Sequence, residues 1–245
     1  MRVYIGFDDT DTIDADRGTG KLVRWFEQEL PEGCTLWGVV RQQLLVDPAI
    51  PYTSHNSSAC AVIDAPDASL VSKLVSRAVQ HIEKHSIPGS DPGLCLSSES
   101  NSDLSQLIAF GRLCTARVVT QKDAIHAAAS AHLSGHGGTN DGIIGAAAAV
   151  GLTAYGWSGR FIEFQNLRGF PQKISVAALE QSDIMVVSID RHAPVPAPED
   201  IVDTKGWLRP RLWGSQPVLP VVSAGQNLWD AVATQKRNGN NKQEG

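Results

Sequence analysis

The stretch Val3-Tyr4-Ile5-Gly6-Phe7-Asp8-Asp9-Thr10-Asp11 decides how the N-terminal part is read. β-Branched and aromatic residues run straight into four polar ones, which predicts a buried strand over 3–7 ending in a carboxylate loop. Downstream, Leu22, Val23, Trp25, Phe26 and Leu30 recur at helical spacing over 21–30, and Pro31 with Gly33 stops the run. Strand-like runs follow at 35–45 and 58–63, joined by a proline-containing polar loop. Over 68–85, Leu70, Val71, Leu74, Val75, Ala78, Val79 and Ile82 share one helical face, and Pro88-Gly89-Ser90-Asp91-Pro92-Gly93 breaks to a strand at 94–96. The order β-α-β-β-α-β predicts an α+β protein with a ferredoxin-like unit over 1–100.

Residues 101–225 read as a second α/β portion. An Ala-rich helix is expected over 122–133, then the glycine cluster Gly135, Gly137 and Gly138, a second helix over 142–151, and strands at 159–164 and 184–189. A proline-rich linker over 192–200 leads to a hairpin over 207–222, and 226–245 reads as a polar, flexible tail.

With 245 residues, 42% hydrophobic and 19% charged, the chain can bury a real core. A net charge of −5 argues against gripping a phosphate backbone as the main task, although a local basic patch is compatible with it. No apolar run approaches the roughly 18 residues a membrane span needs, and a strand starting at residue 3 leaves no secretory leader, so a cytoplasmic protein without membrane contact is expected. Cys34, Cys60, Cys95 and Cys114 form no C-x-x-C pair and read as reduced core residues.

Three segments carry chemistry. Asp8, Asp9, Asp11, Asp14 and Asp16 crowd negative charge onto one loop, which suits Mg²⁺ arriving with a nucleotide; solvent and loop mobility are the plain alternative. Arg17, Gly18, Thr19, Gly20 and Lys21 open the first helix with cations, glycines and a hydroxyl, a pattern for polyphosphate or for an ordinary helix start. The glycine-rich run 135–145, with Asn140, Asp141 and Gly142, makes a second anion nest or a structural tight turn. Arg41, Thr53, His55 and Asn56, around the long loop, are candidate substrate contacts. His81 and His85, on their expected helix, are four apart, as are His132 and His136, so either pair could face a metal or simply be surface histidines. Trp207, Arg209, Arg211 and Trp213 either stack on a base or pack the last hairpin.

Five stretches in chain order resemble the archaeal agmatinylcytidine synthetase of isoleucine tRNA, over about residues 1–225. They are Ile5-Gly6-Phe7-Asp8-Asp9-Thr10-Asp11 with Arg17-Gly18; Arg41 with Asp47-Pro48-Ala49-Ile50-Pro51-Tyr52-Thr53 and Asn56; Asp91-Pro92-Gly93; Asp141-Gly142-Ile143-Ile144-Gly145-Ala146; and Asp203 to Leu219 ending Pro217-Val218-Leu219. The resemblance implies a kinase-like domain joined to a ferredoxin-like one, with ATP activating a cytosine oxygen before an amine displaces the phosphate. By that likeness Asp8, Asp9 and Asp11 would act in catalysis and hold Mg²⁺, Arg17, Gly18, Thr19 and Lys21 would meet phosphate, and Asn140, Asp141 and Gly142 would complete the nucleotide pocket. The family's Met-Cys-Thr-Thr segment after Arg-Gly is replaced here by Thr19-Gly20-Lys21, and with 245 residues and no C-x-x-C pair, no equivalent of its C-terminal OB-fold and zinc ribbon is expected.

The expectation is therefore an ATP- and Mg²⁺-dependent kinase- or ligase-like enzyme acting on a small polar or nucleobase-like substrate. Its tRNA contact would be indirect or weak, and monomer and homodimer both stay open. A non-catalytic nucleotide-binding or tRNA-modification accessory module is the alternative. Asp9-Thr10-Asp11 also mimics the paired aspartates of haloacid dehalogenase phosphatases, a fold that would need alternating parallel βαβ units.

Overall fold

The structure is a computed structural model and describes residues 1–50, 56–192 and 195–232. Its elements are β1 (Arg2–Asp8), α1 (Thr19–Trp25), β2 (Thr35–Gln43), β3 (Ser57–Asp64), α2 (Val71–His85), β4 (Gly93–Ser98), α3 (Leu104–Cys114), α4 (Gln121–Ala127), β5 (His132–Gly135), α5 (Gly142–Tyr155) and β6 (Arg160–Glu163). There follow β7 (Lys173–Ser175), α6 (Val176–Glu180), β8 (Met185–Ser188), β9 (Ile201–Asp203), β10 (Arg211–Trp213), β11 (Gln216–Gly225) and β12 (Leu228–Ala231). The chain divides into two compact units, one of residues 1–167 with 210–217, the other of 168–209 with 218 onward. The boundary expected near residue 100 falls inside the first unit, between β4 and α3.

In the first unit β1 lies between β3 and β4, antiparallel to both, and β2 pairs antiparallel with β3. β5 extends this sheet beyond β4, and β6 with β10 extends it beyond β2. Alternation along β1 sends Val3, Ile5 and Phe7 to one face, where they pack with Leu22 and Phe26 from the first helical segment and with Leu74, Ala78 and Ile82 of α2. The opposite face is covered by α3, α4 and α5, through Leu107, Phe110, Ala124, Ile143, Ala146, Ala147 and Val150. An antiparallel sheet of this kind is not the parallel βαβ array a haloacid dehalogenase fold requires.

α5 is apolar on every side, as a helix must be when it is buried between a sheet and a neighbouring helix. It reaches the sheet because Gly6 faces it: a Cβ there would overlap the Ala146 carbonyl oxygen. Gly93 of β4 meets Gly142 in the same way.

Two local readings change. The helix expected over 122–133 ends at Ala127, and His132–Gly135 pairs with β4 as an edge strand, because a free β4 edge offers ladder bonds that outweigh the weak preference of a short Ala run. His132 and His136 consequently sit at strand spacing, each hydrogen-bonded to Ser134 Oγ, at 2.9 and 2.8 Å. α3, whose apolar residues Leu107, Phe110 and Cys114 face α5, was not expected from the sequence.

In the second unit the strand order is β8, β11, β12, β9, β7. β8 and β9 run parallel to β11 and β12, respectively. Its buried anchor is Trp229, whose indole N–H donates to Asp200 at 2.8 Å. The flexible tail expected from 226 does not start there, since Leu228–Ala231 form β12. No helix among the described residues is long and apolar enough to cross a membrane.

Candidate functional site

The alternation that buries Ile5 and Phe7 turns Asp8 toward the opposite face, under the first turn of α5. A Cβ on Gly145 would overlap the Asp8 carboxylate, so glycine at that position is what admits it. Asp9 follows in left-handed backbone at φ 51°, and its carbonyl accepts from the Asp91 amide at 3.1 Å. The end of β1, the 87–91 turn and the start of α5 thus converge.

Asp91 organises the glycine loop. Its carboxylate accepts the Thr139 amide at 3.0 Å, the Asn140 amide at 2.6 Å and the Thr139 hydroxyl. These are amides expected to cradle a nucleotide phosphate, so in this state a side-chain carboxylate holds part of the nest. Asp91 belongs to the site and carried no role in the sequence reading; its only signal there was its place in the Asp91-Pro92-Gly93 stretch. Asp91→Ala should cost about 1–2 kcal/mol and speed hydrogen exchange of the Thr139 and Asn140 amides about tenfold, because both amides and the Thr139 hydroxyl lose their carboxylate acceptor. Unchanged exchange would show that the loop keeps its shape without Asp91.

Burial is the main cause that lifts the Asp8 carboxyl well above the ordinary aspartate value, with Asp9 adding repulsion. Asp9 is pushed up to about 6, by burial first and then by Asp91, Asp11 and Asp141. Among the described residues none of these carboxylates forms a salt bridge to Lys or Arg. Oxygen donors with uncompensated negative charge are the donor set that hard divalent cations take, so the residues present fit Mg²⁺.

The remaining expected residues are placed as follows. Asp11 Oδ1 accepts from the Thr19 amide at 3.2 Å and the Thr19 hydroxyl at 3.1 Å, which caps α1 beside Gly18. Asp8, Asp9 and Asp11 do not gather as three oxygens around one point; among the described residues the only such trio of His, Cys, Asp or Glu side chains lies elsewhere. Arg17 donates to the His85 carbonyl at 3.0 Å, and both Arg17 and Lys21 lie over the Trp25 ring, at 5.5 and 5.4 Å. Asp141 accepts from Gln121 Nε2 at 2.6 Å. Asn56 closes the base of its loop by donating to the Leu45 carbonyl at 2.6 Å. Thr53 and His55 lie outside the described residues.

Arg41 is directly opposite Arg160, and Arg160 opposite Arg211, across β2, β6 and β10. Like charges placed side by side on a sheet are unfavourable. Burial lowers the affinity of the Arg41 and Arg160 guanidinium groups for their protons, and the neighbouring Arg211 and Arg41 add to this at Arg160. Such a row suits an anion spread along the strands. Sequence reading could not align it, because register between distant strands is not written in local pattern. Arg209 stacks on Trp207 at 3.7 Å and Arg211 lies over Trp213 at 5.3 Å.

These features define a mixed α+β protein with a large, mostly antiparallel sheet and a carboxylate-rich strand end under a glycine- and alanine-rich helix. No family model and no curated protein matches the chain. Solved structures do: a tRNA fluorescent labeling enzyme, at 26% identity and TM-score 0.53, covers 62% of this chain and 36% of its own. TiaS bound to an isoleucine tRNA and ATP, at 25% and 0.53, has the same coverage. TiaS with the same tRNA, AMPCPP and agmatine, at 23% and 0.52, covers 74% of this chain and 44% of its own, a likeness of fold. TiaS is the agmatidine synthetase of that tRNA, which agrees with the motifs resembling that family. This chain spans less than half the length of these neighbours. That those proteins are seen with tRNA contrasts with the expectation of only indirect or weak tRNA contact here.

Proposed function

We propose that this protein is an ATP- and Mg²⁺-dependent enzyme of the kinase or ligase type, activating a small polar or nucleobase-like substrate by phosphoryl transfer. The observation that carries the reading is the seating of the half-buried Asp8 carboxylate against Gly145 in the first turn of α5, with Asp9 next to it in the chain, both with raised proton affinity. The neighbour of 25% identity seen with ATP supports it. For the architecture, we read the antiparallel order β4, β1, β3, β2, with α1 and α2 on one face, as a ferredoxin-like unit.

Asp8 and Asp9 would hold Mg²⁺, with Asp11 acting from the capping position; the ion would supply charge neutralisation to the phosphates. The α5 N-terminus, with Asn140 and Gly142, provides the amide end of a helix dipole to an anionic group. Arg41, Arg160 and Arg211 would align phosphates of a larger substrate.

Calorimetric titration with ATP, with and without Mg²⁺, followed by phosphate release in the presence of cytidine, small amines or tRNA, tests the reading. Binding that needs Mg²⁺ and release stimulated by one of these acceptors is expected; absence of binding would overturn it. Arg160→Gln separately probes the arginine row. It should weaken tRNA binding several-fold and reduce the dependence of log affinity on log salt by about 1, as loss of one phosphate contact does. An unchanged slope would place tRNA elsewhere.

The accessory-module alternative is favoured by one observation. Arg17 is engaged with Trp25 and the end of α2, Lys21 lies over Trp25, and Thr19 is bonded to Asp11, so these groups of the expected phosphate segment already have protein partners. Nucleotide binding without turnover would select this reading.

A further inference from the structure

We propose that Glu29, His81 and His85 form a divalent metal site of the zinc type, on the α1–α2 side of the first unit. His81 is only 2% exposed. Its Nε2 lies 2.9 Å from the Leu22 carbonyl, an acceptor only, so Nε2 carries the hydrogen and Nδ1 presents a bare lone pair. That Nδ1 is buried and has no hydrogen-bond partner. Buried polar atoms are nearly always satisfied, and an orphan of this kind asks for a ligand.

Beside the His81 ring stand a second imidazole and a carboxylate. His85 stands one turn along α2 with its ring centroid 4.7 Å from that of His81, and Glu29 comes from the 3-10 turn after α1. One ligand atom from each of the three lies within 4.8 Å of the others. Tetrahedral zinc with bonds near 2.0–2.1 Å sets its ligands about 3.3 Å apart, a closure of about 1.5 Å that the half-buried His85 and Glu29 side chains reach by rotation.

The surroundings suit the task. The Leu22 carbonyl fixes the His81 tautomer and ring, as outer partners of metal-bound histidines do. Phe7 and Phe26 pack against His81, and Trp25 against His85. Burial holds both imidazoles below the usual histidine range, so both are neutral donors near pH 7. Lys84 and Arg17 are the cations that face the pair; Arg17 is tied to the His85 carbonyl. Two imidazoles and one carboxylate with a fourth position left for water or another ligand suit zinc more than Mg²⁺. This inference is independent of the nucleotide reading, since it uses none of the same residues' proposed roles in phosphate binding.

The test uses the untagged full chain, stripped with a chelator and titrated with Zn²⁺ alone by calorimetry, and with Co²⁺ followed by visible absorption. One equivalent binding at micromolar or tighter affinity, a rise in Tm of several degrees and an intense tetrahedral Co²⁺ spectrum are expected. Glu29→Gln and His85→Ala should each weaken binding at least about tenfold, whereas His132→Ala, at the other histidine pair, should leave it unchanged. Because His81 is in the core, the two half-buried positions carry the test. No stoichiometric binding, binding indifferent to both variants, a weak octahedral Co²⁺ spectrum, or a thiolate charge-transfer band would each overturn the site.

Discussion

Asp9→Asn is expected to weaken Mg²⁺-dependent ATP binding about 100-fold and, at the same time, to raise the Tm of the ligand-free protein at pH 7. Both effects have one cause. Asp9 is lifted from the ordinary aspartate value of 3.8 to about 6 by burial and by Asp91, Asp11 and Asp141, so its charged form is held at a cost that a cation relieves. A folded-state pKa above the unfolded one means that the folded protein binds more protons between pH 3.8 and about 6, and stability falls as pH rises through that window. At pH 7 the full penalty is present. The displacement corresponds to at most about 3 kcal/mol, which the partial exposure of Asp9 reduces to about 1–2. The neutral amide removes it, for a Tm gain of about 2–8 °C in a chain of this size. Asn is also among the few residues at ease in the left-handed backbone of position 9. The gain should vanish below pH 4, where the parent carboxyl is itself protonated, and Mg²⁺ binding by the parent should weaken as pH falls below about 6. Thermal scans at pH 4 and pH 7, beside calorimetry with Mg-ATP, check both arms. If the variant binds Mg-ATP like the parent, the carboxylate site is misplaced.

Gly6→Ala should lower Tm by about 6–12 °C. The new methyl would overlap the Ala146 carbonyl oxygen, and neither β1 nor α5 can move away easily. β1 is paired on both edges, and α5 is packed by the sheet on one side and α3 on the other. Overpacking a core costs about 1–3 kcal/mol, and a backbone contact belongs at the upper end. Ile5→Val, on the opposite face of the same strand, leaves a small cavity and should cost only about 1 kcal/mol. Equal losses in a urea titration would mean that α5 is not seated on Gly6.

Local chemistry was enough for much of this fold. The step from Phe7 to Asp8 marked a strand end, and the apolar face of α2 and the proline and glycine stops marked helix ends, because each depends on residues a few positions apart. α3 escaped notice because Gly111 and Arg112 interrupt its apolar pattern, and the glycine is needed for contact with α5. β5 escaped because its strand state is conferred by β4.

The acidic loop, the glycine nest and the histidine pair on α2 are all visible as residue types at set spacings, and so the kinds of chemistry the chain can support follow from composition and order along it. Which of them meet is decided by pairing across long sequence separation. Strand register sets Arg41, Arg160 and Arg211 side by side, the seating of α5 on Gly6 brings Gly145 to Asp8, and the 87–91 turn delivers Asp91 to the glycine loop. The same folding turns Arg17 away to the end of α2 and draws Glu29 to His81 and His85. A side chain's partner is a property of distance in space, and distance in space is settled by packing rather than by spacing along the chain.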